Sequence, residues 1–200
     1  MMRSKNHLLL SGAIITFFKR TIILACIPIL SLGGCSKYSD EVQTNLTKLK
    51  TTKSCSGCDL TGIELVGFDL KNADLSGANL TGANLSRADL AEANLTNANL
   101  TDANLVMAIL AGAKLVNTNL SRVKLSYANL SGVDISDSLL VDASMNSSKI
   151  LNSKISDTNM DGVNLHSANL TGTKINSKIL KDSVLCKTVM PSGQQDDSGC

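Results

Sequence analysis

Every fifth residue over most of the chain is aliphatic: Leu60 is the first and Met190 the last of 27 consecutive positions occupied by Leu, Ile or Met. Across residues 73–105 the units read Ala-(Asn/Asp)-Leu-x-x, as in Ala78-Asn79-Leu80-Thr81-Gly82. A period of five fits neither a helix, which repeats every 3.6 residues, nor a strand, which repeats every 2. Side chains five apart drift half a turn around a helix and alternate faces on a strand, so neither element buries them together. A backbone that turns a corner at every fifth residue does. Four corners close one coil in twenty residues and stack Leu60, Leu80, Leu100, Leu120, Leu140, Met160 and Leu180 on a single inner wall. The pattern predicts a solenoid.

With the aliphatic position called i, both i and i−2 point into a bore too narrow for two large groups per corner, so i−2 is expected to be small. Ala holds i−2 from Ala73 to Ala113 without interruption, followed by Thr118, Val123, Ser138, Ser148 and Ser153. Positions i−1, i+1 and i+2 face water, which is where Asn, Asp, Ser, Thr, Gly and Lys collect.

These units resemble the pentapeptide-repeat proteins, over about two thirds of the chain. The resemblance implies an all-β fold, a right-handed quadrilateral β-helix. The 27 units at four per coil make nearly seven coils. At about 4.8 Å per stacked strand the rod is roughly 30 Å long.

Only Phe17, Phe18, Phe68, Tyr38 and Tyr127 are aromatic among 200 residues, which excludes an ordinary globular core with large aromatic anchors. The N-terminus reads as an export signal over residues 1–34: Arg3, Lys5, Lys19 and Arg20 precede an apolar run over 21–32 that stops at Gly33-Gly34-Cys35. The run is short for a membrane span. Leu32-Gly33-Gly34-Cys35 resembles a bacterial lipoprotein box, which implies cleavage before Cys35 and its lipidation. Residues 35–54 then form a polar, lipid-anchored tether rich in lysine. The β-helix is expected over 55–190 and a capping tail over 191–200.

With Cys26 removed and Cys35 lipidated, Cys55, Cys58, Cys186 and Cys200 remain, and four cysteines allow three connectivities. They flank the repeat, where a solenoid needs caps. The tail from Cys186 to Cys200 is similar to that of exported cyanobacterial and chloroplast-lumen members of the family, which implies local pairs. A four-thiolate zinc site is disfavoured because the two cysteine pairs lie at opposite ends of the rod. A redox C-x-x-C lacks the strand-to-helix context that such centres use. Ile179, Val184 and Val189, apolar at i−1, are expected to seat the tail, and Lys178 at an i−2 position marks the end of regular coiling.

No catalytic constellation is present in the sequence. His166 stands alone at an outward position, and no Ser-His-Asp order, H-E-x-x-H, P-loop or GxGxxG occurs. Asp59, Asp69, Asp74 and Asp89 sit on different corners and are expected to solvate the rod rather than to hold a cation. No metal and no cofactor are expected. Some family members mimic DNA and protect gyrase from quinolones, but residues 55–200 carry 15 acidic and 11 basic side chains, interspersed, and a duplex mimic needs a dense negative surface. No nucleic-acid partner is therefore expected. The leading reading is a non-catalytic envelope lipoprotein, facing the periplasm or a photosynthetic lumen, that serves as a scaffold for an envelope protein. A gyrase-protecting DNA mimic ranks second and a small envelope enzyme last. Two outer features give direction. Arg87, Met107 and Tyr127 stack at i+2 with Val106 beside them, and Lys114, Lys154 and Lys174 make an i−1 ladder increasingly positive toward the C-terminus.

Overall fold

The computed structural model describes residues 37–200, which form one compact unit. The export signal and Cys35 lie outside the described residues. Helix α1, Asp40–Thr52, comes first. The Ser39 side chain accepts the Val42 N–H at its start, Asp40 and Glu41 occupy its first turn, and Lys53 ends it in the left-handed conformation. Val42, Leu46 and Leu49 fall on one face and are buried against the first coil. The tether expected over 35–54 is thus a packed helix for most of its length. A bore lined with leucine exposes apolar surface at its end, and the apolar face of α1 covers it. The helix and the residue before its cap also supply polar partners: Asn45 Nδ2 donates to the Asp59 carbonyl at 3.0 Å, and the Glu64 N–H donates to Tyr38 Oη at 3.0 Å.

Beyond α1 the backbone is a parallel β-helix. Position i−1 of a unit bridges, in parallel, to position i−1 twenty residues on, from Ser54↔Asp74 to Asn169↔Val189, with Asn159 the exception. A corner every five residues leaves one bridging residue per side, so extended strands are short. On the repeat wall the longest are β1, Lys154–Ile155, and β2, Lys174–Ile175, paired in the same register. Three backbone bonds per unit hold the stack, as at Leu80 N–H to the Asn99 carbonyl (2.7 Å), Gly82 N–H to Thr101 (2.9 Å) and Asn99 N–H to Ala78 (2.9 Å). Each corner needs a left-handed residue at i+2, which Gly62 and Gly82 adopt without strain and Arg87, Met107 and Tyr127 adopt at φ near 60°.

The inward assignment holds at both core positions. Leucines from Leu60 through Leu130 and the alanines beside them are almost fully buried. The hydroxyls at i−2 belong to an ordered ladder. Thr118, Ser138, Ser153, Thr158 and Thr188 donate their hydroxyls to the carbonyl of position i in the preceding coil, at Leu95, Leu115, Leu130, Ile135 and Leu165. Among the described residues no buried side-chain polar atom lacks a partner. The ladder makes a discriminating prediction. Ser138 Oγ also accepts the buried Thr118 N–H at 3.0 Å, so Ser138→Ala strands that group and should cost about 1–3 kcal/mol. Ser148 donates only to Met145, whose carbonyl already receives the Ser148 N–H, so Ser148→Ala should change stability by less than about 0.5 kcal/mol. Chemical denaturation of the two variants measures the difference.

The coil departs from regularity where Lys178 signals it. Residues Ser177–Leu180 form a 3-10 turn, and the bridge expected between Asn159 and Ile179 does not form. Coiling then resumes, with Asn164↔Val184 and Asn169↔Val189 in register, so the interruption is local rather than an ending. The tail closes the C-terminal end as a hairpin of β3, Thr188–Val189, and β4, Gln195–Asp196. Its seat differs from the expected one. Val189 lies in the paired strand, but Val184 remains 42% exposed and Ile179 lines a cleft away from the tail. Gly199 instead rests on the backbone of Leu185 and Cys186, where even a Cβ would stand 2.7 Å from the Leu185 nitrogen.

Candidate interaction surface

The outward Asn and Asp residues at i−1 do more than solvate the rod. Their Oδ1 atoms accept the N–H of residue i+1 and so close each corner, as at Asn79 with Thr81 (3.2 Å), Asp59 with Thr61 (3.0 Å) and Asp74 with Ser76 (3.1 Å). Asn side chains also bond up the stack, Asn94 to Asp74 at 3.3 Å and Asn104 to Asn84 at 3.2 Å. Asp69 and Asp89 make the same corner bonds to Lys71 and Ala91. The sequence signal was the recurrence of Asn and Asp at i−1 through the first ten units, since only a short acceptor side chain reaches its own corner.

These bonds shift ionisation. The Ser76 hydroxyl and N–H hold the Asp74 carboxyl below the ordinary carboxylate range. Lys53 does so first at Asp69, Lys37 at Glu64 and Arg122 at Asp102, the last a bidentate pair at 2.7 Å. Carboxyls depressed in the folded state contribute stability that is fully present above their unfolded pKa and is lost as pH falls through the folded value. The melting temperature is therefore expected to be flat from pH 7 to about pH 5 and to decline below about pH 4. Circular dichroism melts across that range test it, and a rise on acidification contradicts it.

On one wall Arg87, Met107 and Tyr127 stack as expected: the Arg87 N–H donates to Val106 and the Met107 N–H to Ser126. Met107 is 48% and Tyr127 58% exposed, and Val66 extends the apolar strip by one more step. Val66, Arg87, Val106 and Met107 line a shallow depression of about 450 Å³. On another wall Lys114, Asp134, Lys154 and Lys174 follow one another in register, with Lys154 Nζ 3.4 Å from Asp134 Oδ2. The two features face different sides and do not form one site. His166 lies apart from both; its N–H donates to Asn164 Oδ1.

Disulfides stand at both ends, Cys55–Cys58 beneath α1 and Cys186–Cys200 tying the tail to the last coil. Among the described residues no group of His, Cys, Asp or Glu is arranged to hold a metal, and no helix is long and apolar enough to cross a membrane.

A twenty-residue parallel coil, leucine-filled and repeated over most of the described chain, defines a β-helical repeat protein. The family model for pentapeptide repeats matches residues 54–90, 78–115, 108–141 and 139–177, and the chain belongs to that family, whose fold is a right-handed β-helix. Solved structures similar to it include a pentapeptide repeat protein of the Arabidopsis thaliana thylakoid lumen, 22% identical over 68% of this chain and 85% of that one, with a TM-score of 0.38. Rfr23 of the cyanobacterium Cyanothece 51142 is 26% identical over 70% of this chain and 97% of its own, at a TM-score of 0.28. QnrB1, a plasmid-mediated fluoroquinolone resistance protein, is 15% identical over 64% of this chain and 70% of its own, at 0.37. No curated protein matches the sequence.

Proposed function

We propose that this chain is a non-catalytic lipoprotein of the bacterial envelope whose rod, a quadrilateral helix of nearly seven coils, docks a protein partner on the wall carrying Arg87, Val106, Met107 and Tyr127. The observation that carries the reading is the placement of Met107 and Tyr127. Both are exposed, and both occupy left-handed corners where a side chain costs about 1–2 kcal/mol that glycine avoids. Folding gains nothing from a large apolar group at such a position; a contact surface does. Both ends of the rod are covered, by α1 and by the tail, so the sides are what it presents. The disulfides suit an oxidising compartment, and Cys35 supplies the anchor at the membrane, on the periplasmic side or in a lumen. Interspersed lysines on the walls give no duplex-like negative surface and so favour a protein over the gyrase role. No cofactor enters this function.

Two measurements test it. Intact mass of the protein recovered from membranes should begin at Cys35 with lipid attached; residues 1–34 still present, or an unmodified Cys35, defeats the anchoring. Cross-linking of a tagged chain in intact envelopes should yield a reproducible adduct that disappears when Val106, Met107 and Tyr127 are changed together to Ser. Persistence of the adduct in that variant defeats the docking wall.

A further inference from the structure

The break in coiling at Ser177–Leu180 opens a cleft of about 640 Å³ on a side of the rod away from the Tyr127 strip. In a regular unit Ile179 would donate its N–H to the Thr158 carbonyl and accept from Met160, while the Asp157 N–H would reach the Asn176 carbonyl. Here the Ile179 N–H turns back to Asn176 at 3.0 Å. The Asp157 N–H, the Thr158 carbonyl and the Met160 N–H are left without a backbone partner among the described residues. Met160 is only 1% exposed, so its idle donor is not simply solvated. One corner later the Gly162 N–H bonds to Asp182 rather than to Lys181, the residue that the regular register offers. The ladder is therefore short of one unit of partners at one corner.

The vacated place has the features of a strand-accepting edge. Half-buried Ile175 and Ile179 line it as apolar wall, with Ile155 behind. At its mouth Lys154 and Lys174 stand in register, one above the other, against a single carboxylate in the lining, Asp157. Lys154 already pairs with Asp134, but among the described residues Lys174 has no ion pair or side-chain hydrogen bond. We propose that this cleft binds an extended peptide segment of another protein, which takes the missing place in the ladder, lays an aliphatic side chain over Ile175 and Ile179, and sets a carboxylate beside Lys174. Backbone groups supply the affinity of such strand addition, and the side-chain pocket and the lysine supply its selectivity.

The fold itself offers the control. Ser177→Gly, Lys178→Ala and Ile179→Asn together write a regular Ala-Asn-Leu unit across the break, which should restore the ladder, close the cleft and raise the melting temperature. A display library of random seven-residue peptides is selected on the full oxidised chain, with the triple variant and Lys174→Glu as comparisons. Enriched peptides should carry an acidic residue with alternating aliphatics, and should bind at least tenfold more weakly to both variants while binding is unchanged in Met107→Ser. Equal binding to the triple variant, enrichment without acidic residues, or no enrichment over it overturns the proposal. Self-association of the parent that the triple variant loses also overturns it, by showing that the occupant is a second copy of the chain.

Discussion

Leu100→Asp is expected to leave no cooperative thermal transition, whereas Asn99→Asp, one residue away, should melt within about 2 °C of the parent. Leu100 is fully buried, stacked between Leu80 and Leu120 in a bore with no polar partner at that level. Losing its packing costs about 2–5 kcal/mol, and an unpaired carboxylate in an apolar interior adds several more. Together these rival the roughly 5–15 kcal/mol by which a domain is stable. Stacking also spreads the damage, because each side chain contacts the coils above and below. Asn99 faces out and uses its Oδ1 to accept from the Thr101 N–H at 3.1 Å and the Thr101 hydroxyl at 2.6 Å, both of which a carboxylate retains. Equal effects at the two positions would refute the inward and outward assignment.

Removing the Cys186–Cys200 disulfide should release the C-terminal cap without unfolding the rod. The bond spans 14 residues, and closing a loop of that size contributes roughly 3 kcal/mol by chain entropy. What remains to hold the tail is slight: the β3–β4 hairpin, the Lys187 N–H to Asp197 at 3.2 Å, and the Met190 N–H to Gln194 at 2.7 Å. With the tail displaced, Leu180, Leu185 and Met190 and the strand edge above them become accessible to other chains. The double Cys→Ser variant is therefore expected to form concentration-dependent oligomers in sedimentation while most of its β signal persists. A strictly monomeric double variant would show that the tail holds without its bond.

The period of five was sufficient to identify the bore, because each inward residue is repeated twenty residues away and any error of phase would expose a leucine. The cysteine pairs implied by the family resemblance are those of the structure. The sequence signal of helix α1 is short and lies among lysines. Val42, Leu46 and Leu49 do stand at helical spacing, and Ser39-Asp40-Glu41 is a starting cap, but one short apolar face in a lysine-rich stretch is also what a polar tether contains. The corner-closing role of Asn and Asp was hidden by their polarity, which solvation alone also explains. Lys178 correctly marked irregularity, yet a long cation at one inward position cannot say whether the coil ends or detours. Ile179, Val184 and Val189 do not locate the tail seat, because apolar residues at i−1 report uncovered surface, not what covers it.

A photo-cross-linking scan in intact envelopes addresses the proposed docking wall and the coil together. The probe is placed in turn at Arg87, Met107 and Tyr127, which share one wall, and at Gly77, Asn97 and Asn117, the equivalent left-handed corners two walls away and at least two coils from the cleft beside Asp157. Adducts of one mass at all of the first three positions and at none of the second three are the predicted result, a contact recurring every twenty residues along a single side. Adducts on both walls alike, or on neither, would contradict a rod that works through that face.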